Sequence, residues 1–205
     1  MATAEPKTAR GRATRERIVL AAAELVAERG AAAMSLDGVC ARAGASRSQL
    51  YHYFEDRADL VRAVVGATAE AVLGVQIEHL ERLDSWGSIE AWFHQLVSFQ
   101  EAGGARGGCP IGSLVGQLAE RDEPARTMLA ASLDRWEGHL ADGLARMRAD
   151  GELRPDVDPA RLATATMASL QGGLLLTQAR RDPAQLRMAL DGAMAMLREA
   201  ARTDP

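Results

Sequence analysis

The stretch "MSLDGVCARAGASRSQLYHYFEDRADLVRAV", residues 34–64, has the start and stop signals of two short helices joined by a tight turn. Ser35 has the position and chemistry of an N-cap for a helix whose apolar residues continue to Ala43. The turn "AGAS" contains a glycine, and Ser46 caps a second helix that ends near Phe54. Two short helices across such a turn form a helix-turn-helix. This motif lays its second helix in the major groove of DNA.

The second helix opens with polar side chains that suit the reading of DNA. Arg47 can fork onto guanine or clamp a phosphate, and Gln49 can read adenine. Tyr51 and His52 lie one turn later, where a hydroxyl and an imidazole can reach the DNA backbone. Leu50 and Phe54, four residues apart, are expected to face inward and hold this helix on its neighbours. The alternative is a helical hairpin in an unrelated bundle, with the aromatic side chains as ordinary core.

The same stretch resembles the DNA-binding signature of the tetracycline-repressor (TetR) family, over about residues 14–66. The match comprises the serine before the first short helix, the Ala-Gly turn, the serine that caps the recognition helix, Leu-Tyr, then Phe, a basic residue and Leu. The resemblance implies phosphate contacts from Ser35, Tyr51, His52 and Arg57, and base contacts from Ser46, Arg47, Ser48 and Gln49.

The rest of the chain reads as helical. Apolar residues make up 47% of the 205 residues but aromatic residues only 4%, alanine is abundant, and alternating strand-type runs are missing. A first helix is predicted from about Thr14 to Arg29, and a long one from Arg57 to about Leu83, capped by Asp56. Further helices are predicted over residues 89–101, 110–120, 124–150, 159–181 and 183–202. The fold class is all-α, with a three-helix unit joined by a long helix to a larger helical body.

Charge is unevenly distributed along the chain. The net charge is −4, yet the first 17 residues hold five basic and two acidic side chains. A basic segment at one end of an otherwise acidic protein is expected where that segment contacts phosphate. A solvated, disordered tail would show the same distribution of charge. The predicted organisation is a basic flexible arm (residues 1–13), a DNA-binding domain (14–56) and a ligand-binding and dimerisation domain (57–205).

The C-terminal half fits the architecture that the resemblance implies, in which a ligand cavity lies between helices and the last two helices form a dimer. Residues 163–181 and 184–200 carry apolar side chains on more than one face. Small residues there allow close helix approach: Ala168, Gly172, Gly173, Ala189 and Ala193. We therefore expect a homodimer through residues 159–202. The alternative buries both helices within one monomer.

Large apolar side chains and a few polar ones are candidates for the lining of a small-molecule pocket. These ligand-binding candidates are Trp92, Phe93, Leu96, Cys109, Met128, Trp136, Met167 and Gln171. Helical spacing does not distinguish a cavity wall from ordinary core, so each one alone is equally compatible with core packing.

The sequence contains no motif that predicts catalysis, cofactor binding or metal binding. There is no metal-ligand spacing and no glycine-rich phosphate loop after a strand, and Cys109 is the one candidate nucleophile. Cys109 precedes a helix that starts at Pro110, where the helix dipole favours a thiolate. Three interpretations of Cys109 stay open: a structural or pocket-lining residue, a redox or electrophile sensor, and the nucleophile of an all-α enzyme.

Two cysteines make no disulfide framework, the N-terminus has no apolar signal core, and no apolar run approaches the roughly 20 residues needed to span a bilayer. The sequence thus predicts a cytoplasmic protein with no membrane partner. The predicted function is that of a non-enzymatic, ligand-responsive transcriptional regulator. We expect a homodimeric repressor that a small apolar effector releases from palindromic, double-stranded operator DNA.

Overall fold

The computed structural model describes residue 6 and residues 8–202, and within these the structure is helical apart from one isolated antiparallel bridge between Leu153 and Ala201. The predicted all-α fold is confirmed. A 3₁₀ turn at Ala31–Ala33 follows the first helix. The α-helices of the described residues are α1 (Ala9–Arg29), α2 (Leu36–Ala43), α3 (Arg47–Tyr53), α4 (Arg57–Gly74), α5 (Ile77–Leu80), α6 (Trp86–Ala102), α7 (Pro110–Leu118), α8 (Glu123–Ala149), α9 (Pro159–Arg180) and α10 (Ala184–Glu199).

The contacts divide the chain into two compact units. Among the described residues, the N-terminal unit comprises those up to Val72 together with Ser113–Ala131, and the C-terminal unit comprises Leu73–Gly112 and those from Ser132. This grouping differs from the sequence-based division, which starts the second domain at Arg57. Most of α4 and the segment 113–131 pack with the helix-turn-helix.

α1 begins at Ala9, five residues before the predicted start near Thr14. The Thr8 side chain caps it, because Oγ1 accepts a hydrogen bond from the Gly11 backbone N–H at 3.1 Å. Of the expected flexible arm, residues 1–5 and 7 lie outside the described residues, and the part from Ala9 is helical. The basic residues from Arg10 onward therefore sit on a defined helical surface.

A small apolar core holds the N-terminal unit together. Fully buried side chains come from each of its first four helices: Ile18 and Ala22 of α1, Val39 of α2, Leu50 of α3 and Leu60 of α4, with Phe54 between α3 and α4. Arg17 Nε donates to the Ala43 carbonyl at 2.8 Å, so α1 also holds the C-terminal end of α2. This packing fixes the position of α3 against its neighbours.

The long helix predicted from Arg57 to about Leu83 is wrong in its last third, residues 75–83. Asp56 caps its start, where Oδ1 accepts from the Asp59 N–H at 2.7 Å, but the helix ends at Gly74. The turn after Gly74 buries Gln76, whose Oε1 accepts from Trp92 Nε1 at 3.0 Å. A buried indole N–H needs a hydrogen-bond acceptor. The turn that ends α4 places the Gln76 side chain where it accepts this bond from Trp92.

Within the C-terminal unit, α9 and α10 pack closely as an antiparallel pair. A Cβ on Gly173 would lie 2.8 Å from the Ala189 Cβ, so only glycine permits this approach. Thr177 Oγ1 accepts from the Leu186 N–H at 3.0 Å at the same crossing. Two of the small residues expected at the dimer interface, Gly173 and Ala189, therefore contact each other within one chain.

α8 also passes close to the segment before α6. A Cβ on Gly143 would overlap the Leu83 carbonyl oxygen and come within 2.7 Å of the carbonyl carbon. Gly138, five residues earlier on the same helix, has open space where its Cβ would lie. The close approach of α8 to the Leu83 backbone therefore requires glycine at residue 143.

Candidate nucleic-acid interface

The helix-turn-helix is built by local capping bonds. Ser35 Oγ accepts from the Gly38 N–H at 3.2 Å at the start of α2. The helix ends at Gly44, whose φ of +58° lies in the left-handed region that glycine adopts without strain. Ser46 and Gln49 then form a reciprocal capping box, with Gln49 N to Ser46 Oγ at 3.1 Å and Ser46 N to Gln49 Oε1 at 2.9 Å.

The candidate DNA-contacting side chains all lie on the surface, whereas Leu50 and Phe54 of the same segment are buried. The predicted inward role of these two apolar residues is confirmed. The exposed set is Ser35, Ser46, Arg47, Ser48, Gln49, Tyr51, His52 and Arg57.

Gln49 already has a structural task in the capping box. A glutamine that reads adenine uses its amide oxygen and nitrogen together. Because Oε1 already accepts from the Ser46 N–H, a bidentate adenine contact by Gln49 must use the second lone pair of this oxygen together with the amide nitrogen.

Arg57, a candidate phosphate contact, donates hydrogen bonds to backbone carbonyls of its own chain. Its Nε donates to the Met34 carbonyl at 3.0 Å, and its Nη2 donates to the carbonyls of Ala31 and Ala32, the latter at 3.3 Å. The guanidinium thereby ties the first residue of α4 to the 3₁₀ turn that precedes α2. Sequence reasoning could not find this, because carbonyl groups carry no residue-type signal.

We expect Arg57→Ala to lower the free energy of unfolding by about 2 kcal/mol, since charge-assisted hydrogen bonds contribute about 1.5–3 kcal/mol. The melting temperature should fall by about 4–8 °C. Arg57→Lys should recover only part of the loss, because a lysine cannot span several carbonyls. Thermal unfolding followed by circular dichroism measures both. An unchanged melting temperature with a uniform loss of DNA affinity would instead assign Arg57 to a phosphate.

Two further features of this surface were missed by sequence reasoning. Asp37 of α2 accepts both hydrogen bonds of an Arg47 fork, at 2.7 Å each. The start of α1 lies beside α3, because a Cβ on Gly11 would be 3.6 Å from Tyr53 Oη. The only available signal for the Asp37 contact was an acidic and a basic residue in the first turns of consecutive helices.

The comparisons with known proteins identify the chain. Residues 18–64 match the family model "Bacterial regulatory proteins, tetR family", and residues 87–193 match "Tetracyclin repressor-like, C-terminal domain". The chain belongs to the TetR family. It is a transcriptional regulator with a DNA-binding helix-turn-helix, as the resemblance predicted.

Relatives and solved structures agree with this membership. An uncharacterized HTH-type transcriptional regulator of Mycobacterium tuberculosis is 36% identical over 177 residues, which covers 82% of this chain and 86% of the relative. Transcriptional regulator AcuR of Cereibacter sphaeroides is 26% identical over 81% of this chain and 78% of its own. A TetR transcriptional regulator from Chloroflexus aurantiacus shares the fold, with a TM-score of 0.78 and 24% identity over 96% of this chain and 100% of its own.

The ligand-binding candidates of this TetR-family chain fall in both units. Met128 lies in the N-terminal unit, and the other seven belong to the C-terminal unit. Trp92 is fully buried, bonded to Gln76, and its ring centroid lies 5.3 Å from that of Phe93. This environment is that of well-packed core.

Cys109 and Gln171 do come together, around Gly112. The Gly112 N–H donates to Cys109 Sγ at 3.4 Å, and Gln171 Oε1 would lie 3.2 Å from a Cβ on Gly112. Several buried polar atoms of the C-terminal unit have no hydrogen-bond partner among the described residues: Gln171 Nε2, Trp136 Nε1, Gln100 Oε1 and Gln95 Oε1. Such atoms are uncommon in folded proteins and call for a water molecule or a ligand.

Gln100 is the residue that sequence reasoning missed here. Its Nε2 donates to the Gly108 carbonyl at 3.4 Å, which brings it next to Cys109. Burial raises the pKa of the Cys109 thiol, against the smaller opposing effect of the Gly112 N–H. Because the thiolate is the reactive form, this environment does not support the redox or electrophile sensor.

An open cleft with a volume of about 430 Å³ lies between the start of α9 and the end of α10. None of the predicted ligand-binding residues lines it. Its lining residues are Arg154, Asp156, Val157, Asp158, Arg161, Leu162, Met196, Glu199 and Ala200.

Within residues 8–202 no group of three or more His, Cys, Asp or Glu side chains is placed to hold a metal ion. The helices of this described part are also too short or too polar to cross a membrane.

Proposed function

We propose that this TetR-family regulator is a homodimeric repressor that binds a palindromic operator and is released by a small effector. The observation that carries the proposal is α3, whose N-terminal turn is capped, exposed and polar above a fully buried Leu50. That is the arrangement a recognition helix needs to enter the major groove. The protein would act in the cytoplasm, on double-stranded DNA.

Exposed apolar side chains on the last two helices support the homodimer. Leu175 and Leu176 of α9 are 65% and 41% exposed, and Met188 of α10 is 58% exposed. Exposed apolar patches of this kind mark protein interfaces. In this proposal α9 and α10 use one face to pack on each other through Gly173 and present the other face to a second copy. Two half-sites separated by about 34 Å would then be read together.

The unpartnered polar atoms of the C-terminal unit support an effector site near Cys109. Gln171 reaches Gly112 and Gln100 reaches Gly108, so both offer hydrogen-bonding groups on the segment around Cys109. No charged residue is buried among the described residues. The effector would be an apolar molecule with one compact polar end. By linkage, operator DNA must weaken effector binding by the same factor by which the effector weakens DNA binding.

Selection of bound fragments from genomic DNA by the purified protein tests the DNA-binding proposal. We expect palindromic sites, with affinity that falls steeply as salt rises because phosphate contacts release counterions. Arg47→Ala should relax discrimination at one base pair per half-site by about 1–3 kcal/mol. Fluorescence anisotropy on duplexes with single base-pair changes measures this loss. Recovered fragments without half-site symmetry would contradict the palindromic operator. A reporter gene placed behind a recovered site tests repression: expression should rise when the regulator gene is deleted, and a fall would identify an activator.

A further inference from the structure

The side chain of Arg47, at the first position of α3, is already held by a carboxylate. Arg47 Nε donates to Asp37 Oδ1 and Nη2 donates to Asp37 Oδ2, both at 2.7 Å. Both side chains are well exposed, at 64% and 69%. The pair therefore joins the first turn of α2 to the first turn of α3 on the outer surface of the helix-turn-helix.

The geometry leaves one edge of the guanidinium available. An arginine has five N–H groups, and Asp37 takes two of them along the side formed by Nε and Nη2. The end edge, formed by Nη1 and Nη2, keeps one N–H from each nitrogen in a plane. Two parallel N–H groups match O6 and N7 of guanine, the pattern of the commonest specific base contact.

We propose that Asp37 is a positioning residue for base recognition: it fixes the Arg47 guanidinium so that its end edge reads guanine and keeps it away from phosphate. This rests on the proposed function, in which α3 enters the major groove. A mobile arginine on a DNA-binding surface would be drawn to the nearest phosphate, a contact without sequence information. The Asp37 carboxylate opposes that movement, because it repels phosphate and already neutralises the arginine.

The charge state of the pair is suited to this role. The hydrogen bonds from Arg47 hold the pKa of the Asp37 carboxyl below its ordinary value, so the carboxylate is ionised at neutral pH. The pKa of Arg47 is raised by its hydrogen bonds with Asp37 and by the charge of that carboxylate. The pair therefore stays intact across the pH range in which DNA binding is measured.

The chain offers a matched control pair. Arg42 Nη1 and Nη2 donate to Glu28 Oε1 and Oε2 at 2.7 and 2.9 Å, a fork between α1 and α2 with the same charges. Neither residue belongs to α3. Glu28→Gln therefore removes one carboxylate charge from the same unit without altering the support of Arg47.

The test measures base preference and salt dependence for the full-length dimer. Duplexes recovered by the wild-type protein are changed one base pair at a time, and binding is compared for wild type, Asp37→Asn, Asp37→Glu, Arg47→Ala and Glu28→Gln. We expect Asp37→Asn to reduce the guanine preference by about tenfold at the base pair that Arg47→Ala affects. For random duplex, the freed Arg47 should steepen the salt slope by about 0.9 per protomer. Asp37→Glu should restore the preference, and Glu28→Gln should change neither quantity.

The possible outcomes separate this inference from the proposed function. If Arg47→Ala abolishes the guanine preference while Asp37→Asn keeps it, Asp37 does not position Arg47 and the inference fails alone. If Glu28→Gln loses the guanine preference to the same extent as Asp37→Asn, the inference also fails. Removal of any carboxylate charge from the unit would then explain the loss. If Arg47→Ala leaves every base preference intact, the base-reading role in the proposed function fails as well. Circular dichroism melting of each variant shows that the comparison is made between folded proteins.

Discussion

Gly143→Ala should destabilise the C-terminal unit by about 3 kcal/mol, although alanine favours a helix more than glycine by about 1 kcal/mol. The added methyl group would overlap the carbonyl oxygen of Leu83, which is backbone and cannot change rotamer. α8 must therefore move away from this segment, and buried contacts near Gly143 are lost. Thermal unfolding should show a melting temperature lower by about 6–12 °C.

Gly138→Ala is the matched control, because the same substitution on the same helix meets open space. Here only the helix propensity changes, so we expect stabilisation by about 0.5–1 kcal/mol. Opposite signs for the two variants would establish that close approach at Leu83, and not a general need for flexibility, requires glycine at residue 143. A neutral Gly143→Ala would show that α8 and the Leu83 segment are farther apart than this packing implies.

Leu175→Glu should convert the proposed dimer into monomers. Two-fold symmetry places the substitution twice in the interface, so the loss of leucine burial alone is about 3–6 kcal/mol before the cost of burying a carboxylate. The dimer dissociation constant should therefore rise at least about a hundredfold. Analytical ultracentrifugation should show a wild-type dimer and a monomeric variant at micromolar concentration. The variant should also bind a complete operator no more tightly than a single half-site.

Leu20→Glu provides the comparison for a charge placed on an exposed leucine elsewhere. Leu20 lies on α1 and is 62% exposed, close to the 65% of Leu175. It lies outside residues 159–202, so this variant should remain dimeric. If both variants stay dimeric, or both dissociate, the α9–α10 face is not the interface that we propose.

The helix-turn-helix could be predicted from sequence because its determinants are local. Ser35 and Ser46 each accept a capping hydrogen bond from the backbone N–H three residues later. The left-handed conformation of Gly44 needs no distant partner. Leu50 and Phe54 were expected inside from their spacing, and both are buried. Periodicity and capping chemistry were sufficient at this scale.

The features that escaped prediction depend on partners far away in the chain. The turn after Gly74 is explained by Gln76 meeting Trp92, sixteen residues later. Arg57 donates to carbonyls more than twenty residues earlier, bonds that its predicted phosphate contact did not indicate. Ala189 packs against Gly173 of its own chain, a contact that its predicted place at the dimer interface did not indicate. Residue type alone does not show which of several chemically suitable partners a side chain will meet.

The capping box of α3 has an evolutionary consequence. Gln49 accepts a hydrogen bond that starts the recognition helix, and it also stands where a side chain can read a base. Glutamate also closes a capping box at this position, and glutamate reads cytosine where glutamine reads adenine. Lineages descended from this protein can therefore exchange these two specificities at one codon without weakening the helix. A change at residue 49 to a side chain that cannot accept the Ser46 N–H lowers helix stability at the same time, which narrows the routes by which new operators are acquired.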